Sequence, residues 1–178
     1  MLKIYCAPLG DLSGSNAAYA LLDRAYREEY GGALPEIKKT PNGKPYFPER
    51  PDEFFSLSHA KTHVLCALSS NPVGADIESP RSISERAIRY FCTQEELSFF
   101  DPLDLWVLKE SYIKLIGGRL AMVKDIRFSR DNGGIITPDG LSLSKLYRIG
   151  ICHAAISAYG SDLPESIELL RSADRTDV

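Results

Sequence analysis

The sequence is short of several features that would place a protein quickly. It has 178 residues with one tryptophan, two methionines and four cysteines. Cys6, Cys66, Cys92 and Cys152 stand far apart, mostly inside apolar runs, with none of the short spacings of a zinc site or a dense disulfide framework. They are expected to be reduced core thiols of a cytoplasmic protein. No run of eighteen apolar residues occurs and no basic-then-apolar leader opens the chain, so neither a membrane span nor secretion is expected. Basic residues are not in excess either: 21 Lys and Arg against 24 Asp and Glu leave a net charge of -3, which argues against a broad nucleic-acid face. What remains, 44% hydrophobic and 25% charged residues, is the composition of a soluble globular chain with one ordinary core or two small ones.

Against that plain background, Val73-Gly74-Ala75-Asp76-Ile77-Glu78 stands out. The run reads as a strand, and side chains alternate along a strand, so Asp76 and Glu78 share one face while Ala75 and Ile77 take the other. Two like charges at about 4 Å and an effective dielectric near 20 repel by roughly 4 kcal/mol. Such a face is either an exposed edge with solvated acids or, if half buried, one that needs a cation. Mg²⁺ suits it, since it takes one or two carboxylates plus water or phosphate oxygens.

Thirty residues on, Leu105, Leu108, Tyr112, Leu115 and Ile116 recur at helical spacing. Asp101 can cap that helix, Pro102 fits its first position, and Gly117-Gly118 can end it. Trp106, Glu110 and Lys114 then form one stripe. Glu110 before Lys114 is the favourable order for a surface ion pair of about 0.2–0.5 kcal/mol. A helix packed across the Asp76 strand would instead bring a third carboxylate to a metal and hold an ammonium beside it. Lys109 lies about 100° round the helix from Glu110 and is given a secondary role.

Elsewhere the pattern predicts a strand over Leu2 to Cys6, a helix over Asn16 to Tyr30, and a loop over Pro35 to Pro51 carrying Lys38, Lys39 and Asn42-Gly43-Lys44-Pro45. Strands follow at Phe54 to Leu57 and His63 to Ser69. Ser82 with Glu85 and Thr93 with Glu96 fit capping boxes for helices over Ser84 to Phe91 and Gln94 to Phe100, where Glu95 and Glu96 read as first-turn acids. The remaining runs, Lys124 to Ser129, Gly134 to Thr137, Lys145 to His153 and Ala154 to Tyr159, suggest an antiparallel sheet, and Arg171 to Val178 a frayed end. One helix plus a few strands thus occurs before about Val73 and again after it. The two stretches share no sequence repeat.

Three blocks together carry a resemblance: Phe55-Ser56-Leu57-Ser58-His59, Gly74-Ala75-Asp76-Ile77-Glu78, and Trp106-Val107-Leu108-Lys109-Glu110-Ser111-Tyr112-Ile113-Lys114. In this order and spacing, over Pro35 to about Leu120, the chain resembles the 4′-phosphopantetheinyl transferases of the surfactin-synthetase-activating type. The resemblance implies an α+β fold of two pseudo-twofold-related halves, each a small, mainly antiparallel sheet packed on a helix. These would be residues 1–72 and 73–178, with the active site between them.

It further implies Mg²⁺-dependent transfer of the phosphopantetheine arm of coenzyme A to a serine of an acyl or peptidyl carrier protein, with release of 3′,5′-ADP, by a protein expected to be monomeric. Asp76, Glu78 and Glu110 would hold the metal, and Lys114 would balance charge on the leaving oxygens. Glu110 would serve as base, directly or through a metal-bound water, as metal ligand, or as both. Ser58 and His59 would meet the 3′-phosphate, with Lys38, Gly43, Lys44, Pro45 and Lys114 completing the coenzyme A contacts. Arg119 stands where the family often has lysine. Longer members carry a basic segment ahead of the first helix, whereas Leu9 to Asn16 here has no Lys or Arg. Two rival readings use the same residues: a metal-dependent phosphodiesterase or nuclease, and a binding module without turnover.

Overall fold

A computed structural model of the chain describes residues 1–160 and 162–170, so the expected frayed end at 171–178 lies outside the described residues. The first strand, β1 (Leu2–Pro8), leads into α1 (Gly14–Tyr30). This helix begins two residues before the predicted Asn16 because Ser13 is the cap: its hydroxyl accepts the Asn16 N–H at 3.4 Å. Within the expected loop, β2 (Lys38–Lys39) and β3 (Pro45–Tyr46) form a minimal antiparallel pair, too short to leave a periodic signal. The hairpin β4 (Phe54–His59) and β5 (His63–Ser69) follows, then β6 (Val73–Glu78).

Helix α2 (Glu85–Phe91) is capped by Ser84 rather than Ser82, and α3 stops at Leu97 (Gln94–Leu97), short of Phe100. The Thr93–Glu96 capping box is formed as expected. Helix α4 (Pro102–Ile116) carries Pro102 in its first turn and ends on Gly117 at φ 65, although the Asp101 side chain makes no capping bond. A 3₁₀ turn (Leu120–Lys124) and β7 (Ser129–Asp131) replace the single strand expected over 124–129. There Val123, Ile126 and Phe128 plug into the α4 core from an irregular segment. Strands β8 (Gly134–Ile136), β9 (Leu143–Ile149), β10 (Cys152–Ala158) and β11 (Glu168–Leu169) complete the chain. The β9–β10 turn falls at Gly150, φ 56, not at His153.

The strands form sheets in the orders β11-β1-β5-β4 and β6-β10-β9, with the two minimal pairs β2-β3 and β7-β8. In both larger sheets the path is the same: a strand, a long helix, then a hairpin whose last strand pairs antiparallel with the first strand. The fold is therefore α+β with small antiparallel sheets, β11 alone pairing in parallel. The inner faces meet in one core, where Ile4, Cys6, Leu65 and Ala67 pack with Ala75, Ile77, Ala154 and Ile156. Helix α1 covers the outer face of the first sheet through Leu21, Leu22 and Ala25, and α4 covers the second through Leu105, Leu108 and Tyr112. All four cysteines are free, and no helix among the described residues is long and apolar enough to cross a membrane.

Candidate active site

Strand β6 is the meeting point. Its Ala75 and Ile77 face the inter-sheet core, as the alternation predicts. The face with Gly74, Asp76 and Glu78 lies under α4. Gly74 permits this closeness: a Cβ there would stand 1.9 Å from the Ser111 carbonyl oxygen and 2.4 Å from the Leu115 nitrogen, so helix backbone rests directly on strand backbone. On its other edge β6 meets β4, and serine hydroxyls bridge the two strands. Ser56 Oγ accepts from the Ala75 N–H at 2.9 Å, and Ser58 Oγ accepts from the Ile77 N–H at 3.3 Å.

These placements bring Asp76, Glu78 and Glu110 together, with one carboxylate oxygen from each within 4.8 Å of the others. Asp76 is 3% exposed, and its two oxygens have different fates. Oδ1 accepts from Lys114 Nζ at 2.7 Å and from Ser58 Oγ at 2.8 Å. Oδ2 is buried and has no hydrogen-bond partner among the described residues. A buried carboxylate oxygen without a donor loses its hydration uncompensated, an arrangement that a cation would relieve. Glu110 adds to the argument: burial first, then the charges of Asp76 and Glu78, push its carboxyl up to about 7 against the opposing pull of Lys114 and Arg81. Three hard oxygen donors with one orphaned atom fit a small divalent cation.

Lys114 is fixed by more than its acid. Its ammonium also donates to the Ala75 carbonyl at 3.0 Å and the Leu57 carbonyl at 3.4 Å, so it spans β4, β6 and α4. Arg81 stands on the open side of the site, 3.5 Å from Glu78 and over the Trp106 ring. Beside the acids, a cavity of about 210 Å³ runs between Gly43, Lys44 and Pro45 on one wall and Leu57, Lys114 and Gly118 on the other. Of the residues expected to meet coenzyme A, four therefore border one cavity. Ser58 is on the adjoining strand with its hydroxyl engaged by Asp76 and the Ile77 N–H. His59 is exposed, its ring lying against Gly14 at the start of α1. Lys38 is exposed on β2, 3.5 Å from Glu36, and does not border the cavity. Lys44 donates to the carbonyls of Leu115 and Val73, and its burial pulls its pKa down to about 8. Arg119 Nε donates to Asn42 Oδ1 at 3.0 Å.

Residues 72–155 match the 4′-phosphopantetheinyl transferase superfamily. Over this segment the chain is similar to that superfamily. It is 33% identical over 145 residues to 4′-phosphopantetheinyl transferase Sfp of Bacillus subtilis (strain 168), an alignment covering 72% of this chain and 65% of that protein. It is 37% identical over 94 residues to 4′-phosphopantetheinyl transferase gsp of Aneurinibacillus migulanus, covering 46% of this chain and 38% of that protein. It is likewise 37% identical over 89 residues to 4′-phosphopantetheinyl transferase psf-1 of Bacillus pumilus, covering 43% and 37%. The chain thus spans 65% of the length of the first of these curated relatives and less than two fifths of the other two. The acid set of β6 and α4 lies inside the matched segment.

The sequence reading missed what lies behind that set. Lys109, given a secondary role, is fully buried and paired with Glu96 at 2.9 Å. It also donates to the Phe91 carbonyl, while Glu96 accepts from the Thr93 and Phe128 N–H groups. Burial pushes Glu96 up, but these donors outweigh it and hold the carboxyl below its usual range. The available signal was positional, since Lys109 falls between Leu105 and Tyr112 on an apolar stripe. His153, opposite Glu78 in the β6–β10 register, donates from Nδ1 to Asp104 Oδ1 at 2.7 Å, and Arg148 donates to Asp104 Oδ2 at 2.7 Å.

Proposed function

We propose that the protein transfers the 4′-phosphopantetheine arm of coenzyme A to a serine of an acyl or peptidyl carrier protein and releases 3′,5′-ADP. The observation that carries this reading is the orphaned Asp76 Oδ2 inside an acid set that belongs to the superfamily's matched segment. The names of the relatives support the reaction class. On this reading the halves 1–72 and 73–178 hold the substrates between them, in the cavity walled by the Asn42–Pro45 loop and the end of α4.

In the reaction the serine oxygen attacks the β-phosphorus. The bond from that phosphorus to the bridging oxygen of the nucleotide breaks, and the electron pair leaves with 3′,5′-ADP. Such a displacement needs positioning, neutralised charge and a base for the serine proton. Asp76, Glu78 and Glu110 are the residues that would hold Mg²⁺, which when bound neutralises pyrophosphate charge. The Lys114 ammonium, already steadied by two carbonyls and Asp76, faces the same cavity and offsets charge on the leaving oxygens. Glu110, part of the same acid set, is the group that would take the serine proton. The setting expected is cytoplasmic, in the synthesis of fatty acids, polyketides or nonribosomal peptides, by a protein acting as a monomer.

The test is intact-mass spectrometry of a panel of apo carrier proteins incubated with coenzyme A, Mg²⁺ and this protein. A gain of one phosphopantetheine, lost in Asp76→Ala, is expected. No gain with any carrier, alongside plasmid cleavage that Asp76→Ala abolishes, would replace the proposal with a metal-dependent phosphodiesterase.

A further inference from the structure

The acid set is split between two elements. Asp76 and Glu78 belong to β6 and Glu110 to α4, so the distance between strand and helix sets the distance between ligands. That distance is unusually short at Gly74, where the backbones touch at Ser111 and Leu115. One side chain ties both partners at this point. Lys44 Nζ donates to the Leu115 carbonyl of α4 at 2.8 Å and, more weakly, to the Val73 carbonyl of β6 at 3.4 Å. The first of these carbonyls belongs to the last helical turn and has no partner within the helix. The second belongs to the residue before Gly74, and the residue before Leu115 is Lys114. The loop that presents Lys44 is itself fastened to the same helix end: Asn42 Nδ2 donates to the Gly117 carbonyl at 3.0 Å, and the Lys44 N–H donates to Thr40 Oγ1 at 3.1 Å.

We propose that Lys44 is a positioning residue whose ammonium staples β6 to the last turn of α4 and thereby sets the geometry of Asp76, Glu78, Glu110 and Lys114. It is not a phosphate-binding cation of the donor cavity. It lines that cavity, but its ammonium is engaged by two backbone carbonyls. Reaching a phosphate would require breaking both bonds and uncovering the helix end. The inference rests on the reading of the three acids as a divalent-cation site.

Lys44→Met keeps the stem and removes the ammonium. The dissociation constant for Mn²⁺, read by electron paramagnetic resonance titration of the isolated protein, is expected to rise about 10-fold or more, the usual effect of losing support behind a metal site. Coenzyme A affinity, read by calorimetry in EDTA, is expected to stay at the wild-type value. In the transferase assay kcat falls while KM for coenzyme A holds. Wild-type Mn²⁺ affinity in this variant, with coenzyme A binding weakened, would overturn the staple and leave the proposed function standing. A wild-type protein that binds no Mn²⁺ would overturn both.

A second readout needs no variant. Brief acetylation of the ligand-free wild type, mapped by mass spectrometry, is expected to spare Lys44 while modifying the exposed Lys38 and Lys61. Lys44 modified as fast as these two, and protected only when coenzyme A is added, would contradict the proposal.

Discussion

Lys109 and Glu110 are neighbours on α4, yet their surroundings are opposite in kind. Lys109 is 0% exposed, and it and its acid answer one another: Glu96 is met by an ammonium and two backbone N–H groups, the ammonium by that acid and the Phe91 carbonyl. Glu110 faces two more carboxylates, one of which has a buried oxygen without a donor. One face of the helix is a closed ion-pair network and the other an open one. A structural role accounts fully for the first, whereas the second is incomplete without a further positive charge. That difference separates adjacent residues of α4 more sharply than burial does, because both charged groups are taken largely out of water.

The comparison breaks most visibly at the closed network. Lys109→Ala strands a buried Glu96 and should cost about 3–5 kcal/mol in urea unfolding, while the paired replacement Lys109→Met with Glu96→Gln, which keeps an acceptor for the Thr93 and Phe128 N–H groups, should cost less. If the single and paired variants unfold alike, the network is not closed in the way described. On the open side the order inverts. Asp76→Ala or Glu110→Ala should lower transfer activity at least about a hundredfold, with metal-free stability unchanged or raised in Glu110→Ala but lowered in Asp76→Ala, which takes the acceptor from Lys114 and Ser58. Intact-mass rates and melting curves recorded on the same samples check both halves of that statement.

Gly74→Ala should act on both faces at once, since its methyl would meet the Ser111 carbonyl. A loss of about 1–3 kcal/mol is expected, together with weakened Mn²⁺ binding. The smallest effect expected is a pH dependence. The Glu110 carboxyl is raised from 4.5 to about 7 in the folded chain, so the folded state holds its proton more tightly than the unfolded state. Stability from this group is present at low pH and lost as pH rises between those values. Glu110→Gln should therefore raise the melting temperature in EDTA at pH 8, by about 2–4 °C for each kcal/mol of strain relieved, and leave it unchanged at pH 4. Excess Mg²⁺ should stabilise the wild type at pH 8 more than this variant.

Much of the open face was legible because it follows simple periods. Alternation of two puts Asp76 and Glu78 on one side of a strand, and the 3.6-residue period with Pro102 and Gly117 at the ends delimits α4. The α+β class was visible in the same way, and the pairing that makes the strand–helix–hairpin path recur was not, because hydrogen-bonded register leaves no mark in composition. The closed network was hidden for another reason. Glu96 has the spacing of a capping-box acid, which it is, but its carboxylate also turns inward to Lys109 and the Phe128 N–H. One residue filling two roles reads in sequence as only the commoner one. The segment after α4 misled through its apolar residues: Ile126 and Phe128 look like part of a strand and pack, with Val123, as an irregular plug.

The central claim is that the acids of β6 and the acid of α4 converge on one divalent ion. Anomalous diffraction from crystals soaked in Mn²⁺ tests it directly. A single strong peak is expected within about 2.0–2.6 Å of Asp76 Oδ2, in reach of Glu78 and Glu110. A fully soaked crystal with no peak there, or with its peak at another acid cluster, would contradict the account.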